Sequence, residues 1–144
     1  MSSTTSNAEL TAADREFLAT PRIGFLTVAG GKGLPEPRPV WFEVADDGTV
    51  QLFSLNTSPK VRRVQQDPRA SLVAANGVGE PENWIAISGT ATIEEDGAGE
   101  LAERLGARYW DLDDPEKAAA LTSMVEADLV RIVIRPERIS RYGG

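Results

Sequence analysis

Glycine and proline divide this chain into short β-rich runs, and the closeness of the first three constrains its fold more than any other feature. Residues 22–29 (RIGFLTVA) and 38–44 (RPVWFEV) are separated only by a loop carrying Gly30, Gly31, Gly33 and Pro35. The second run passes through Asp46-Asp47-Gly48 directly into 49–55 (TVQLFSL), so three antiparallel strands in succession are expected. Residues 69–75 (RASLVAA) read as a fourth strand, 84–94 (WIAISGTATIE) as a fifth and 129–135 (LVRIVIR) as a sixth, with 136–141 trailing off as an edge or loop. Within the fifth run Ile85, Ile87 and Ile93 share a parity, and Gly89 marks an expected bend or bulge.

Helical signals fall between these runs. Thr11 can cap a short helix with Asp14 three residues on, Leu10, Phe17 and Leu18 forming its apolar face and Pro21 ending it. A helical pair is expected at 98–105 and 115–125, interrupted near Gly106 and restarted by Pro115 after Asp114. Residues 1–7, rich in Ser and Thr without apolar anchors, read as a disordered tail, and 8–144 as one domain. The order predicts a mainly β fold with inserted helices, closed into a small barrel so that few strand edges stay exposed.

Chemistry is most concentrated in Leu55-Asn56-Thr57-Ser58-Pro59-Lys60-Val61-Arg62-Arg63-Val64, where a strand end runs into a helix. Ser58 is a good N-cap and Pro59 suits the first helical position. Lys60 and Arg62 add positive charge where unpaired backbone N–H groups already favour an anion. Such a turn can hold a phosphate; it also reads as an ordinary capped surface helix with solvated cations. Pro68 disfavours helix at Asp67 and ends this helix near Gln66.

Composition removes several alternatives. The 144 residues include 15 Lys and Arg against 22 Asp and Glu, a formal charge of −7, which argues against nucleic-acid binding and makes any anion site local. With no cysteine there is neither a disulfide framework nor a thiolate nucleophile. With no histidine, the usual general base of hydrolases and most zinc sites are missing too, so an enzyme of this composition needs a cofactor to carry its chemistry. Residues 1–7 are polar and uncharged, unlike an export signal, and no apolar run is long enough to span a bilayer, so a soluble cytoplasmic protein without membrane association is expected.

Several of these segments, in this order, carry a resemblance: Pro21 through Val28 (PRIGFLTV), Pro39-Val40-Trp41-Phe42, Ser58-Pro59-Lys60-Val61-Arg62, Asp67-Pro68-Arg69-Ala70-Ser71-Leu72 and Ser88-Gly89-Thr90-Ala91. Over roughly residues 10 to 142 the chain resembles the pyridoxamine 5′-phosphate oxidase-like superfamily of flavin-binding split barrels. Within it, the chain is most similar to short FMN-binding general-stress-type proteins and to oxidoreductases that use the deazaflavin coenzyme F-420. The resemblance implies a six-stranded antiparallel split β-barrel, a homodimer with the cofactor in a groove between subunits, and a small organic substrate. It assigns a phosphate site to Ser58, Lys60 and the 58–62 backbone; Arg62, the next exposed cation of this helix, is expected to bind cofactor too, either at that phosphate or at the acidic tail of F-420. Asn56 and Thr57 fall at the family's cofactor-contacting strand end, and Pro39, Val40 and Trp41 on the strand beside the isoalloxazine ring. FMN is the expected cofactor and F-420 the alternative; a non-catalytic flavin-binding stress protein is a third reading. Pro59 replaces an arginine of the oxidase, Arg63-Val64 replaces the common Asn-Leu, and the oxidase's C-terminal arginine-histidine pattern is missing, all of which argue against pyridoxamine phosphate as substrate.

Other residues divide between roles. Trp41 and Trp84 suit either a flavin contact or core and dimer packing. Arg69 reads as a surface cation before a phosphate ligand, and Arg141 with Tyr142 as either a closure contributed by the partner subunit or a frayed end. Asp111, Asp113 and Asp114 fit helix-start acids better than a metal site.

Overall fold

The computed structural model describes residues 2–5 and 9–143. In chain order the elements are β1 (Ser2–Thr5), α1 (Ala12–Ala19), β2 (Gly24–Val28), β3 (Arg38–Val40), β4 (Glu43–Val44), β5 (Val50–Leu55), α2 (Pro59–Gln66), β6 (Arg69–Ala75), β7 (Trp84–Glu94), α3 (Ala98–Tyr109), α4 (Pro115–Glu126) and β8 (Leu129–Tyr142). The strands form one antiparallel path, β3-β2-β6-β7-β8-β5-β4, with β1 added beside β8. Burial alternates along β2, β6 and β7, so one face of the sheet fills the barrel with Leu26, Leu72 and Ile87 while the other faces outward. Leu52, Ile132, Ile134 and Ile139 complete that core from the opposite wall.

The expected strand over 38–44 is two strands in the structure, and the split is what closes the barrel. Val40 pairs with Gly24 of β2, whereas Glu43 pairs with Gln51 of β5, so the two ends of the path are joined covalently through Trp41 and Phe42. A strand that changes partners leaves the ladder at the change, and its backbone groups need other partners there. The Phe42 N–H, 3.4 Å from the Tyr109 hydroxyl, is met by that oxygen, which itself donates to the Arg22 carbonyl at 2.6 Å. The Phe42 ring is fully buried. The predicted count of six strands therefore rises by one at this switch.

Two further expectations change. Strand β8 does not end at Arg135 but runs to Tyr142, because β7 follows it the whole way and absorbs the irregularity in a bulge between Ser88 and Gly89. Gly89 is required there, since a Cβ on it would collide with the Arg135 backbone carbonyl. Pro136 sits at this bulge, between the part of β8 covered by β5, ending at Ile134, and the part covered by β1, starting at Ile139. A residue without an N–H is tolerated at such a gap. The second concerns the segment read as a tail, in which Ser2–Thr5 pair with 139–142 along an edge of β8 that β5 does not reach; the rest of 1–7 lies outside the described residues.

The helices follow their caps. Thr11 and Asp14 form the expected capping box of α1. The break expected near Gly106 is displaced to Trp110: Gly106 is a buried contact point where a Cβ would crowd Leu121 of α4, so this glycine lets the two helices approach rather than ending one.

Asp14 also accepts two hydrogen bonds from Arg141, at 3.0 and 2.7 Å, tying the end of β8 to α1. Burial alone pushes its carboxyl pKa up, but the Arg141 and Thr11 hydrogen bonds and the Arg141 charge outweigh it, and the net shift is downward. The pair thus stabilises the fold above the ordinary carboxylate pKa of about 3.9, and that stability is lost as pH falls through the lowered value. Asp14→Asn is expected to cost about 1.5–3 kcal/mol at neutral pH and to flatten the acid limb of the stability curve, as read by urea unfolding across pH. Gly89→Ala is expected to cost at least about 1–3 kcal/mol in the same assay, because backbone must move to admit the methyl group.

Candidate functional site

Where β5 ends, the Ser58 N–H donates to the Leu55 carbonyl at 3.0 Å and turns the chain into α2. The Ser58 hydroxyl caps the helix by accepting from the Val61 N–H at 3.4 Å and lies 2.7 Å from the Ser54 hydroxyl. Pro59 occupies the first turn as expected. Val61 and Val64 are buried at 1% and 3% exposure, and they set the rotation of the helix about its axis. That rotation turns Lys60 and Arg63 towards β3 and leaves Arg62 outside.

Two recesses meet at Lys60. The first, about 390 Å³, is apolar: Pro39, Val40 and Trp41 line it with Ile23, Phe53 and Met124, and Lys60 stands at its rim. The second, about 440 Å³, runs over the start of α2, where Ser58, Lys60 and Arg63 face Arg38 and Pro39. Pro39 and Lys60 belong to both, so the two are one groove. Arg38 is held by Glu36 at 3.1 Å, while Lys60 has no hydrogen-bond or ion-pair partner among the described residues. Burial, and then the Arg38 charge, push the Lys60 ammonium pKa down. A half-buried ammonium with a repelling neighbour and no acid paired to it is stabilised by an incoming anion.

The wall of the apolar recess is rigid because Trp41 is packed on three sides. Its ring stacks on Tyr109 (centroids 5.4 Å apart, planes 3° apart), meets Trp110 edge-on at 4.7 Å and Phe53 at 6.3 Å. The end of α3 thus fixes both the ring and, through the Tyr109 hydroxyl, the strand switch that carries it.

Of the residues singled out in the sequence, Pro39, Val40, Trp41, Ser58 and Lys60 come together in this groove. Asn56 and Thr57 line neither recess: Asn56 is bound to Asp128 through its N–H at 2.9 Å and its side chain at 3.3 Å, and the Thr57 carbonyl accepts from Arg62 at 2.7 Å. Arg62 borders a third recess on the outer side of α2. Sequence reasoning missed Arg63, although its spacing from Lys60 and the buried Val61 and Val64 put it on the groove side. It also missed Arg38, Phe53 and Met124, which only the barrel closure and the helical pair bring near.

The remaining candidates have local explanations. Trp84 stacks on Tyr142 at 6.2 Å beside Asp14 and Arg141, on a different recess. Arg141 is engaged by Asp14 of its own chain, and the exposed Arg69 by Asp67, whose pKa its guanidinium hydrogen bonds hold down at about 2. Asp111 accepts from the Asp113 N–H and Asp114 caps α4, and among the described residues no group of acids could hold a metal ion. An apolar aromatic slot with a cationic rim, without a general base inside, suits a planar ligand bearing an anionic group.

The pyridoxamine 5′-phosphate oxidase family model matches residues 10–142. No curated protein matches the chain. Solved structures share its fold: the conserved hypothetical protein Rv2991 from Mycobacterium tuberculosis superposes with a TM-score of 0.72 at 23% identity, over 94% of this chain and 87% of that one. An F420 reductase gives 0.69 at 21% identity, over 90% and 98% of the two chains. A FAD-binding protein from Mesorhizobium loti gives 0.61 at 20% identity, over 100% and 99%. Because the family match extends over nearly the whole described chain and the barrel has the shape these structures share, the chain belongs to the pyridoxamine 5′-phosphate oxidase family.

Proposed function

We propose that this protein is a homodimeric oxidoreductase that binds a flavin-type cofactor in the groove between β3 and α2 and acts on a small organic substrate. The observation that carries this reading is the unpartnered Lys60 at the junction of an aromatic-walled slot and a capped helix start. The residues present fit such a group: the slot is apolar and flat-walled, the adjoining recess holds Ser58 and three cations, and the single acid there, Glu36, is already paired with Arg38. FMN is the smallest cofactor of this kind, and coenzyme F-420 is the alternative that the likeness to an F420 reductase favours. A bound flavin supplies hydride transfer, which neither histidine nor cysteine is needed to perform.

The chain's own residues bind, orient and exclude water. Ser58 and the Lys60 N–H would receive a phosphate, and the Lys60 ammonium would neutralise it. The packed Trp41 ring holds one wall of the slot in place, so a ring seated there would have a fixed attitude towards substrate. The substrate enters an apolar space bordered by Met124 and Ile23. The same barrel acting as a flavin carrier without turnover would bind cofactor that no nicotinamide or reduced deazaflavin reduces.

A second copy of the chain is expected on the outer face of the sheet. Ile23 and Phe25 are 42% and 46% exposed, and Phe25 lies in register between Pro39 and Val73, giving an apolar strip that a lone subunit leaves in water. No described helix is long and apolar enough to cross a membrane.

Three outcomes test this reading. Equilibrium titration should give saturable binding of FMN or F-420, and Lys60→Ala should weaken it by about 1.5–3 kcal/mol with the fold intact. Because the lowered Lys60 pKa means that its charge destabilises the folded chain below that pKa, Lys60→Met should raise the unfolding free energy read by urea denaturation slightly, by less than about 1 kcal/mol, while it too weakens binding. Sedimentation of the cofactor-free protein at micromolar concentration should show a dimer; a clean monomer would contradict a shared groove.

A further inference from the structure

The outer side of α2 carries a third recess, which shares only Pro59 and Arg63 with the phosphate position and nothing with the slot. It measures about 350 Å³ and is bordered by Gly31, Lys32, Pro59, Arg62, Arg63 and Gln66. Three of these six residues are cations and none is an acid, in a chain where acids outnumber bases 22 to 15. No salt bridge engages Lys32, Arg62 or Arg63 among the described residues, and the one hydrogen bond of an Arg62 or Arg63 guanidinium goes from Arg62 to the Thr57 carbonyl.

The loop after β2 builds this recess. A Cβ on Gly30 would collide with the Arg63 carbonyl, and one on Gly31, whose φ is +102°, would lie 2.9 Å from the Arg63 Nε. Glycine at both positions lets the loop lie directly on α2, holding Lys32 opposite Arg62. Arg63 and Pro59 also border the Ser58–Lys60 recess, so the three recesses are contiguous. Along the groove they change from apolar and aromatic, through a mixed recess holding Glu36, to one whose charged lining residues are all cations.

We propose that the ligand is longer than a mononucleotide: beyond the phosphate at Ser58 and Lys60 it carries a second anionic group, received by Lys32, Arg62 and Arg63. This rests on the flavin-type reading above and specifies the cofactor class within it. A second phosphate of a dinucleotide and the acidic tail of a deazaflavin share this chemistry.

Quenching of tryptophan fluorescence on titration with FMN, FAD and F-420 reads the affinities without turnover. At least one extended probe should bind about tenfold or more tightly than FMN, with steeper salt dependence. A gain for FAD identifies the second phosphate, and a gain for F-420 the acidic tail. Lys32→Ala/Arg62→Ala should bring that probe to within about threefold of FMN. Lys32→Glu, which leaves the helix and the Arg62–Thr57 contact untouched, should do the same. FMN binding as tightly as both extended probes, or a margin that survives both variants, would overturn the inference while leaving the flavin reading intact. Failure of all three probes to bind the dimeric protein would remove both.

Discussion

The barrel depends on one change of partners. A sheet of seven strands has two edges, and here both edges are consecutive pieces of chain, so Trp41 and Phe42 must turn from one wall to the other. Their side chains go opposite ways: Phe42 into the core, Trp41 onto the wall of the groove. The backbone at that point has no ladder to join, and the Tyr109 hydroxyl takes its place. Closure of the barrel and placement of the aromatic wall are therefore one event, and α3 is part of the site although only its last residues approach it.

Charge is distributed with the same economy. Arg104 and Glu43, Arg131 and Asp96, Arg69 and Asp67, and Arg141 and Asp14 pair off around the barrel. On α2 and the loop against it, Lys32, Lys60, Arg62 and Arg63 have no salt bridge among the described residues. Holding Lys60 half-buried without an acid works against stability, which is the usual sign that a group is kept for a ligand rather than for the fold.

What could be read from the sequence was local. Ser58, Pro59 and Lys60 announce themselves because a cap, a first-turn proline and a cation act within a few residues of one another. Gly89 was legible as a bulge because a glycine inside a strand has few other uses. The split of 38–44 was not legible, since where a strand changes partner depends on which edge the rest of the sheet leaves open. Pro136 misled for a related reason: a proline ends a strand only if the missing N–H was needed, and here it falls in a gap between two neighbours. Gly106 resembles a helix break until Leu121 is placed over it. Asn56 and Thr57 sit where strand-end contacts are expected, but they line neither recess, and Asp128 holds the Asn56 N–H groups while Arg62 holds the Thr57 carbonyl. Arg63 was recoverable from helical periodicity; Met124 was not.

Strand β8 runs between β7 on one side and β5 followed by β1 on the other, so the hydrogen-bonded ladder from one half of the barrel to the other passes through it. Its ladder to β5 spans some eighty residues of sequence, from Val50 against Ile134 to Leu55 against Leu129. A chain emerging from the ribosome can form the β2–β6–β7 sheet early, yet β5 has no wall to join until 129–142 is out. Until then the apolar inner face of a half-built sheet stays open to water, and the interval between synthesis of β7 and of β8 is when this protein most needs protection from aggregation.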